Sequence, residues 1–269
     1  MTRAALAIEK LLSIMARLRG PDGCPWDREQ TLKTLRPYVL EETYEVLEAI
    51  DAGDPREHRE ELGDLLLQIV FQAQLASEEG KFDFADVAEA ISSKLVSRHP
   101  HVFGDATVKD AEAVLRQWVA LKRKEKEARG GGQSVLEGVP REMPALARAE
   151  RLTEKASRVG FDWPDPSGPR AKVDEELAEL DRAMAAGDRA AVEDELGDVL
   201  FAVSNLARKL GIPPEEALRG AVGRFVARFR YVEDQLALRG VRHGEATLEE
   251  MDRLWEQAKA VLDQGPKNP

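Results

Sequence analysis

Two sets of five carboxylates stand at one spacing, 134 positions apart. The first is Glu41, Glu42, Glu45, Glu61 and Asp64; the second is Glu175, Glu176, Glu179, Glu195 and Asp198. Carboxylates drawn together with no cation repel one another and hold their protons more tightly. Hard divalent cations relieve that repulsion. Oxygen-only ligation suits Mg2+ or Mn2+, and Mg2+ keeps waters and recruits substrate phosphates. A lone Glu-x-x-Glu on a helix is ordinarily solvated surface. That reading does not account for five acids kept twice while Leu47 and Asp181, or Glu48 and Arg182, differ at matching positions. Between 41–67 and 175–201, 12 of 27 aligned residues are identical, so the chain reads as two unequal copies of one unit.

The elements that must carry these acids are helices. Ile8, Leu11, Leu12, Met15 and Leu18 give the 3–4 spacing of a first helix, broken at 20–25. Further helices are expected at about 34–52, 55–77, 84–97 and 109–128. The second copy repeats the order near 144–159, 171–186, 188–210, 214–236 and 247–263. Apolar alternation bounded by hairpin turns is absent, so no substantial sheet is expected. Gly130, Gly131 and Gly132 cannot hold a regular helix cheaply and mark a linker. The domains are therefore expected at 1–128 and 144–265, with a linker at 129–143.

In each copy the acids flank an apolar stripe. Val173, Leu177, Leu180 and Met184 are expected to face the core, as are Val39, Thr43, Val46 and Ile50. Glu61 and Asp64 stand among Leu62, Leu65, Leu66 and Ile69; Glu195 and Asp198 stand among Leu196, Val199, Leu200 and Val203. Two antiparallel helices joined at Gly53-Asp54, or at Gly187-Asp188, would bring four acids of each set to one cavity.

Cationic and aromatic residues recur as well. Lys94 and Arg98 match Arg224 and Arg228; Trp118 and Lys122 match Trp255 and Lys259. Lysine and arginine can hold phosphate oxygens, and tryptophan can stack on a base. Di-iron carboxylate bundles use Glu-x-x-His. The residues three before His58, His99, His101 and His243 are Pro55, Val96, Arg98 and Gly240, so that chemistry is not expected. There is no Gly-x-x-x-x-Gly-Lys loop and no Gly-x-Ser-x-Gly elbow.

Composition narrows the class further. The chain has 269 residues, 43% of them hydrophobic and 33% charged, which suits helical bundles. A net charge of −11 argues against a general nucleic-acid binder, although one anionic substrate can be reached through metal ions. Cys24 stands alone, which excludes an intrachain disulfide and a thiolate zinc cluster. Glu9, Lys10 and Arg17 interrupt the apolar residues near the start, so no signal peptide is expected. The apolar run at 65–71 contains Gln68 and is too short for a bilayer. A cytoplasmic protein is the expectation.

Glu-Glu-x-x-Glu followed by Glu-x-x-Asp resembles the MazG family of all-α nucleoside triphosphate pyrophosphohydrolases. CPWDREQT (24–31), RPYVLEETYEVLEAI (36–50), EELGDLLLQIVF (60–71) and RHPHVFGD (98–105) resemble the first domain of its tandem members. VGFDWPD (159–165), EDELGDVLFAVSNLARKLG (193–211) and RFVARF (224–229) resemble the second. The resemblance implies an all-α chain of two tandem helical-bundle domains, each with a metal-binding helix pair. It implies Mg2+-dependent cleavage of nucleoside triphosphates between the α and β phosphates, giving monophosphate and pyrophosphate, in homodimers.

By that resemblance Glu176, Glu179, Glu195 and Asp198 would hold Mg2+ and Glu175 would orient the attacking water. Lys172, Arg224, Arg228 and Lys259 would bind phosphates, and Trp255 the nucleoside. Copy one offers Glu42, Glu45, Glu61 and Asp64 for metal, with Glu41, Lys94, Arg98, Trp118 and Lys122 around them. Lys172 is replaced by Tyr38 and Arg224 by Lys94, so copy two is expected to be the better nucleotidase. A narrower pyrophosphatase, for dUTP or a phosphoribosyl-ATP-like compound, stays open. So does a helical protein that senses nucleotide or a partner without turnover, which would have no need of Glu175.

Overall fold

The computed structural model describes residues 1–105, 109–110, 113–114, 117–118, 121, 134–242 and 244–262. Among them the regular structure is entirely helical. The chain divides into two compact units, Met1–Gly131 and Gly132–Pro269.

In the first unit α1 is Arg3–Arg19, α2 Pro25–Glu29, α3 Arg36–Ala52, α4 Pro55–Glu78, α5 Phe84–Arg98 and α6 Pro100–Phe103. In the second α7 is Ala145–Ser157, α8 Ser167–Ala186, α9 Arg189–Lys209, α10 Pro214–Leu238 and α11 Leu248–Leu262. Periodicity located the long helices to within a few residues. The short α2 and α6 were not expected; each begins at a proline, whose fixed φ suits the first turn. The expected helix at 109–128 and the glycine linker lie largely outside the described residues.

The hairpin that matters is built alike in both units. Gly53 ends α3 with φ 72°, and Gly187 ends α8 with φ 70°. Nothing stands within 4 Å of a Cβ at either place, so the requirement is the left-handed backbone itself, which glycine adopts without strain. The next residue starts the returning helix. Asp54 accepts from the Arg56 N–H at 2.8 Å. Asp188 accepts from the N–H groups of Ala190 and Ala191 at 3.1 and 3.2 Å. These aspartates satisfy donors that a helix start otherwise leaves unpaired. A Gly-Asp dipeptide thus stops one helix and caps the next, returning the chain on itself.

Around the first hairpin, Met15, Leu35, Val70, Phe71 and Leu75 form a buried cluster, with Leu66, Leu67, Tyr38 and Phe84 packed against it. Arg19 ties α1 to α4 through a bidentate pair with Glu78, at 2.7 and 2.6 Å. In the second unit α7 packs on α9 and α10, and α10 on α11. There Val232, Leu236 and Leu254 are buried together, with Met251 and Trp255 against them. Asp162 pairs with Arg208 at 2.7 Å and Lys209 at 3.0 Å, fixing the chain before α8 onto the end of α9.

One expectation about the stripes needs correction. Val173 is buried, but Leu177 and Met184 are not, and Met184 is 61% exposed. On α9, Leu196 and Leu200 are 49% and 50% exposed, and Val203 is open as well. In the first unit Val46 is buried while Ile50, Leu62 and Ile69 are exposed. A two-helix hairpin has two sides, and the other helices of one unit cover only part of this apolar surface.

Candidate metal centre

Each hairpin gathers three of its acids. Carboxylate oxygens of Glu42, Glu45 and Glu61 all lie within 4.8 Å of one another, as do those of Glu176, Glu179 and Glu195. Two residues come from the first helix, one turn apart, and the third from the returning helix. Glu176 is buried at 6% exposure, and Glu42, Glu61, Glu179 and Glu195 are half-buried. Either trio could hold a metal ion through oxygen ligands alone. Asp64 and Asp198, expected as fourth ligands, are exposed and stand outside the trios. Their charges still act on the trios, as the proton affinities show.

Glu42 holds its proton above the ordinary carboxylate range. Burial is the largest cause, followed by repulsion from Asp64 and Glu45; a hydrogen bond from Gln68 opposes them. Glu61 is raised by burial, then by Glu45 and Asp64. Glu195 is raised by burial, then by Glu179, Glu176 and Asp198, with Arg182 opposing. A cation among the three oxygens would relieve this repulsion.

The two centres differ in their basic neighbours. Lys172 Nζ lies 2.9 Å from Glu175 Oε1 and 2.7 Å from Glu176 Oε1. Those hydrogen bonds, to Glu176 first, raise its proton affinity above that of an ordinary lysine. Arg182 pairs with Glu179 at 3.0 Å. In the first unit Tyr38 takes the register of Lys172 and meets Trp26 edge-on, with ring centroids 5.9 Å apart. Glu42 is instead met by Gln68 of α4, whose Nε2 lies 3.4 Å from Oε1. In the sequence Gln68 stands as a break in an apolar run. Its spacing from Glu61 and Asp64, seven and four residues, puts it on their helix face, a signal that was available.

Of the remaining expected residues, Glu41, Glu175, Lys94 and Arg224 are exposed. Arg98 lies over the Trp118 ring at 5.5 Å, and Arg228 over the Trp255 ring at 5.7 Å. Trp255 also meets Phe225 at 5.3 Å and packs on the core cluster of its unit. The arginine–tryptophan contact thus recurs in both units. Lys259 pairs with Glu256 at 2.5 Å. Lys122 lies outside the described residues.

Comparison with known proteins follows the same division. Residues 30–103 match the family described as MazG nucleotide pyrophosphohydrolase domain. Residues 153–221 match the one described as phosphoribosyl-ATP pyrophosphohydrolase. A nucleoside triphosphate pyrophosphohydrolase of Escherichia coli (strain K12) is 48% identical over 255 residues, covering 94% of this chain and 97% of its own. The chain belongs to the MazG family. The nucleoside triphosphate pyrophosphohydrolase/pyrophosphatase MazG of Thermotoga maritima is 44% identical over 259 residues, covering 96% of this chain and 98% of its own. A nucleoside triphosphate pyrophosphohydrolase of Mycobacterium tuberculosis is 32% identical over 243 residues, covering 90% of this chain and 62% of its own. MazG membership makes the chain a hydrolase of phosphoric anhydride bonds. Among the described residues no helix is long and apolar enough to cross a membrane.

The raised carboxylates fix the sign of a pH effect. The folded chain binds the protons of Glu42, Glu61 and Glu195 more tightly than the unfolded chain. Stability therefore falls as pH rises through the raised values and returns as pH drops toward the ordinary 4.5. Glu78 and Asp162 are shifted down and act with the opposite sign only below that range. With chelator present, the melting temperature is expected to rise as buffer moves from about pH 7 to about pH 5. A flat or falling melting temperature over that interval would contradict the carboxylate repulsion.

Proposed function

We propose that the chain is a Mg2+-dependent nucleoside triphosphate pyrophosphohydrolase that cleaves the α–β anhydride, releasing monophosphate and pyrophosphate, and that it serves nucleotide-pool sanitation. The observation that carries the reading is the trio Glu176, Glu179 and Glu195 with the Lys172 ammonium seated on it. Mg2+, or Mn2+ in its place, would be held by that trio with Asp198 at its edge. When bound, it neutralises phosphate charge and acidifies a bound water.

The protein's own groups do the rest. The Lys172 ammonium bridges Glu175 and Glu176. A triphosphate offers it a stronger anionic partner, and the exchange frees Glu175 to accept a proton or hydrogen bond from the water in line with the α–β bond. Arg224, Arg228 and Lys259 bind phosphate oxygens, and Trp255 stacks on the nucleoside. Arg228 already lies over that ring, joining the two tasks. No covalent nucleophile is required.

In copy one the matching set is Glu42, Glu45, Glu61 and Asp64 for metal and Glu41 for water. Lys94, Arg98, Trp118 and Lys122 would meet substrate. Tyr38 supplies no ammonium where copy two has Lys172, so copy two carries most of the turnover. The open apolar faces of the hairpins support a homodimer, in which a second copy covers Leu196, Leu200 and Met184.

The activity is tested with mixed triphosphates and Mg2+, reading pyrophosphate. Alanine at Glu176 or Glu179 is expected to lower kcat by roughly 100-fold or more, the scale of metal charge stabilisation. Alanine at Glu42 or Glu45 is expected to leave most turnover. The reverse ranking would assign the chemistry to copy one, and release of orthophosphate alone would remove the α–β proposal. Sedimentation velocity is expected to give a dimer; a monomer at micromolar concentration would remove that part.

A further inference from the structure

One carboxylate is held from opposite directions in the two units. In the second, Glu176 is met from its own helix by Lys172, one turn earlier, at 2.7 Å. At that register the first unit has Tyr38. Its Glu42 is met from the facing helix by Gln68 Nε2, at 3.4 Å. At the register of Gln68 the second unit has Ala202, which carries no donor. The exchanges are complementary: where one unit has Lys and Ala, the other has Tyr and Gln, and in both the carboxylate receives a donor.

Gln68 is 6% exposed. Its Nε2 reaches the acid trio, while its Oε1 is sealed from solvent and finds no hydrogen-bond partner among the described residues. A buried amide carbonyl left unpaired destabilises a fold, so a site that keeps one calls for a donor it has yet to receive. None of the three trio residues can donate once ionised. A water molecule on a divalent cation can, since its protons are strongly polarised.

We propose that Gln68 is a positioning residue of the first unit's cation site. Its Nε2 holds Glu42, and its Oε1 accepts a hydrogen bond from a water on the divalent cation bound by Glu42, Glu45 and Glu61. The inference rests on the reading of that trio as a cation site. It also distinguishes the units in kind. Lys172 offsets one charge of its trio and can be passed to a phosphate. Gln68 is neutral, leaves the full negative charge for the cation, and has no charge to pass on. The first unit is thereby tuned to hold a hydrated cation, the second to exchange a carboxylate contact for a polyphosphate one.

The test uses the full chain carrying Glu176→Gln and Glu195→Gln, so that Mn2+ bound at carboxylates reports the first unit. Mn2+ affinity is read by electron paramagnetic resonance titration, and metal-free melting by circular dichroism. Adding Gln68→Leu is expected to weaken Mn2+ binding about 10–100-fold, the usual cost of removing a group that orients a metal ligand. Metal-free melting is expected to stay or rise, because the unpaired carbonyl is gone. Gln68→Met, unbranched and of similar length, is expected to do the same. Unchanged Mn2+ affinity in both variants, or a loss of metal-free melting without a loss of affinity, overturns the role of Gln68 alone. No Mn2+ binding before Gln68 is touched overturns the cation reading of the trio, and this inference with it.

Discussion

The mutual repulsion of carboxylates held at the edge of an apolar hairpin is the constraint on which the rest depends. Three oxygens from three side chains within 4.8 Å cannot all stay ionised without cost, and burial increases that cost. The structure responds in two ways. It raises the proton affinity of Glu42, Glu61 and Glu195, and it brings a donor to Glu42 or Glu176. A divalent cation would offset much of that repulsion, and in a hydrolase of phosphoric anhydrides it would also bring charge to the substrate phosphates.

The hairpin makes the repulsion possible. Gly53 and Gly187 end their helices in a conformation that leaves the chain turning back, and Asp54 and Asp188 start the return. The turn fixes which residues face each other, so acids counted back from the glycine meet acids counted forward from the aspartate. Tight turns, caps and acids belong to one device, and the duplication kept all three.

The fold was largely legible because helical periodicity and Gly-Asp punctuation are local signals. The acid sets were legible because register repeated. What the residues alone did not disclose was three-dimensional. Asp64 and Asp198 follow Glu61 and Glu195 by three residues on the same helices, yet are not among the three acids whose oxygens converge. The stripes of Leu177, Met184 and Leu200 look like core because periodicity reports which side is apolar, not what lies against it. Gln68 was hidden by its neutrality: among leucines it reads as an interruption, and only the facing helix reveals that it meets Glu42. Lys172 was legible as a cation, but its bridge between Glu175 and Glu176 required coordinates.

The most direct test compares the melting of the wild-type chain with that of Glu42→Gln, Glu61→Gln, Glu176→Gln and Glu195→Gln combined, with chelator and with Mg2+. If repulsion within the trios governs the site, the variant melts higher than wild type in chelator and loses the rise that Mg2+ gives the wild type. A variant that melts lower in chelator, or one that keeps the full Mg2+-dependent rise, would contradict the account.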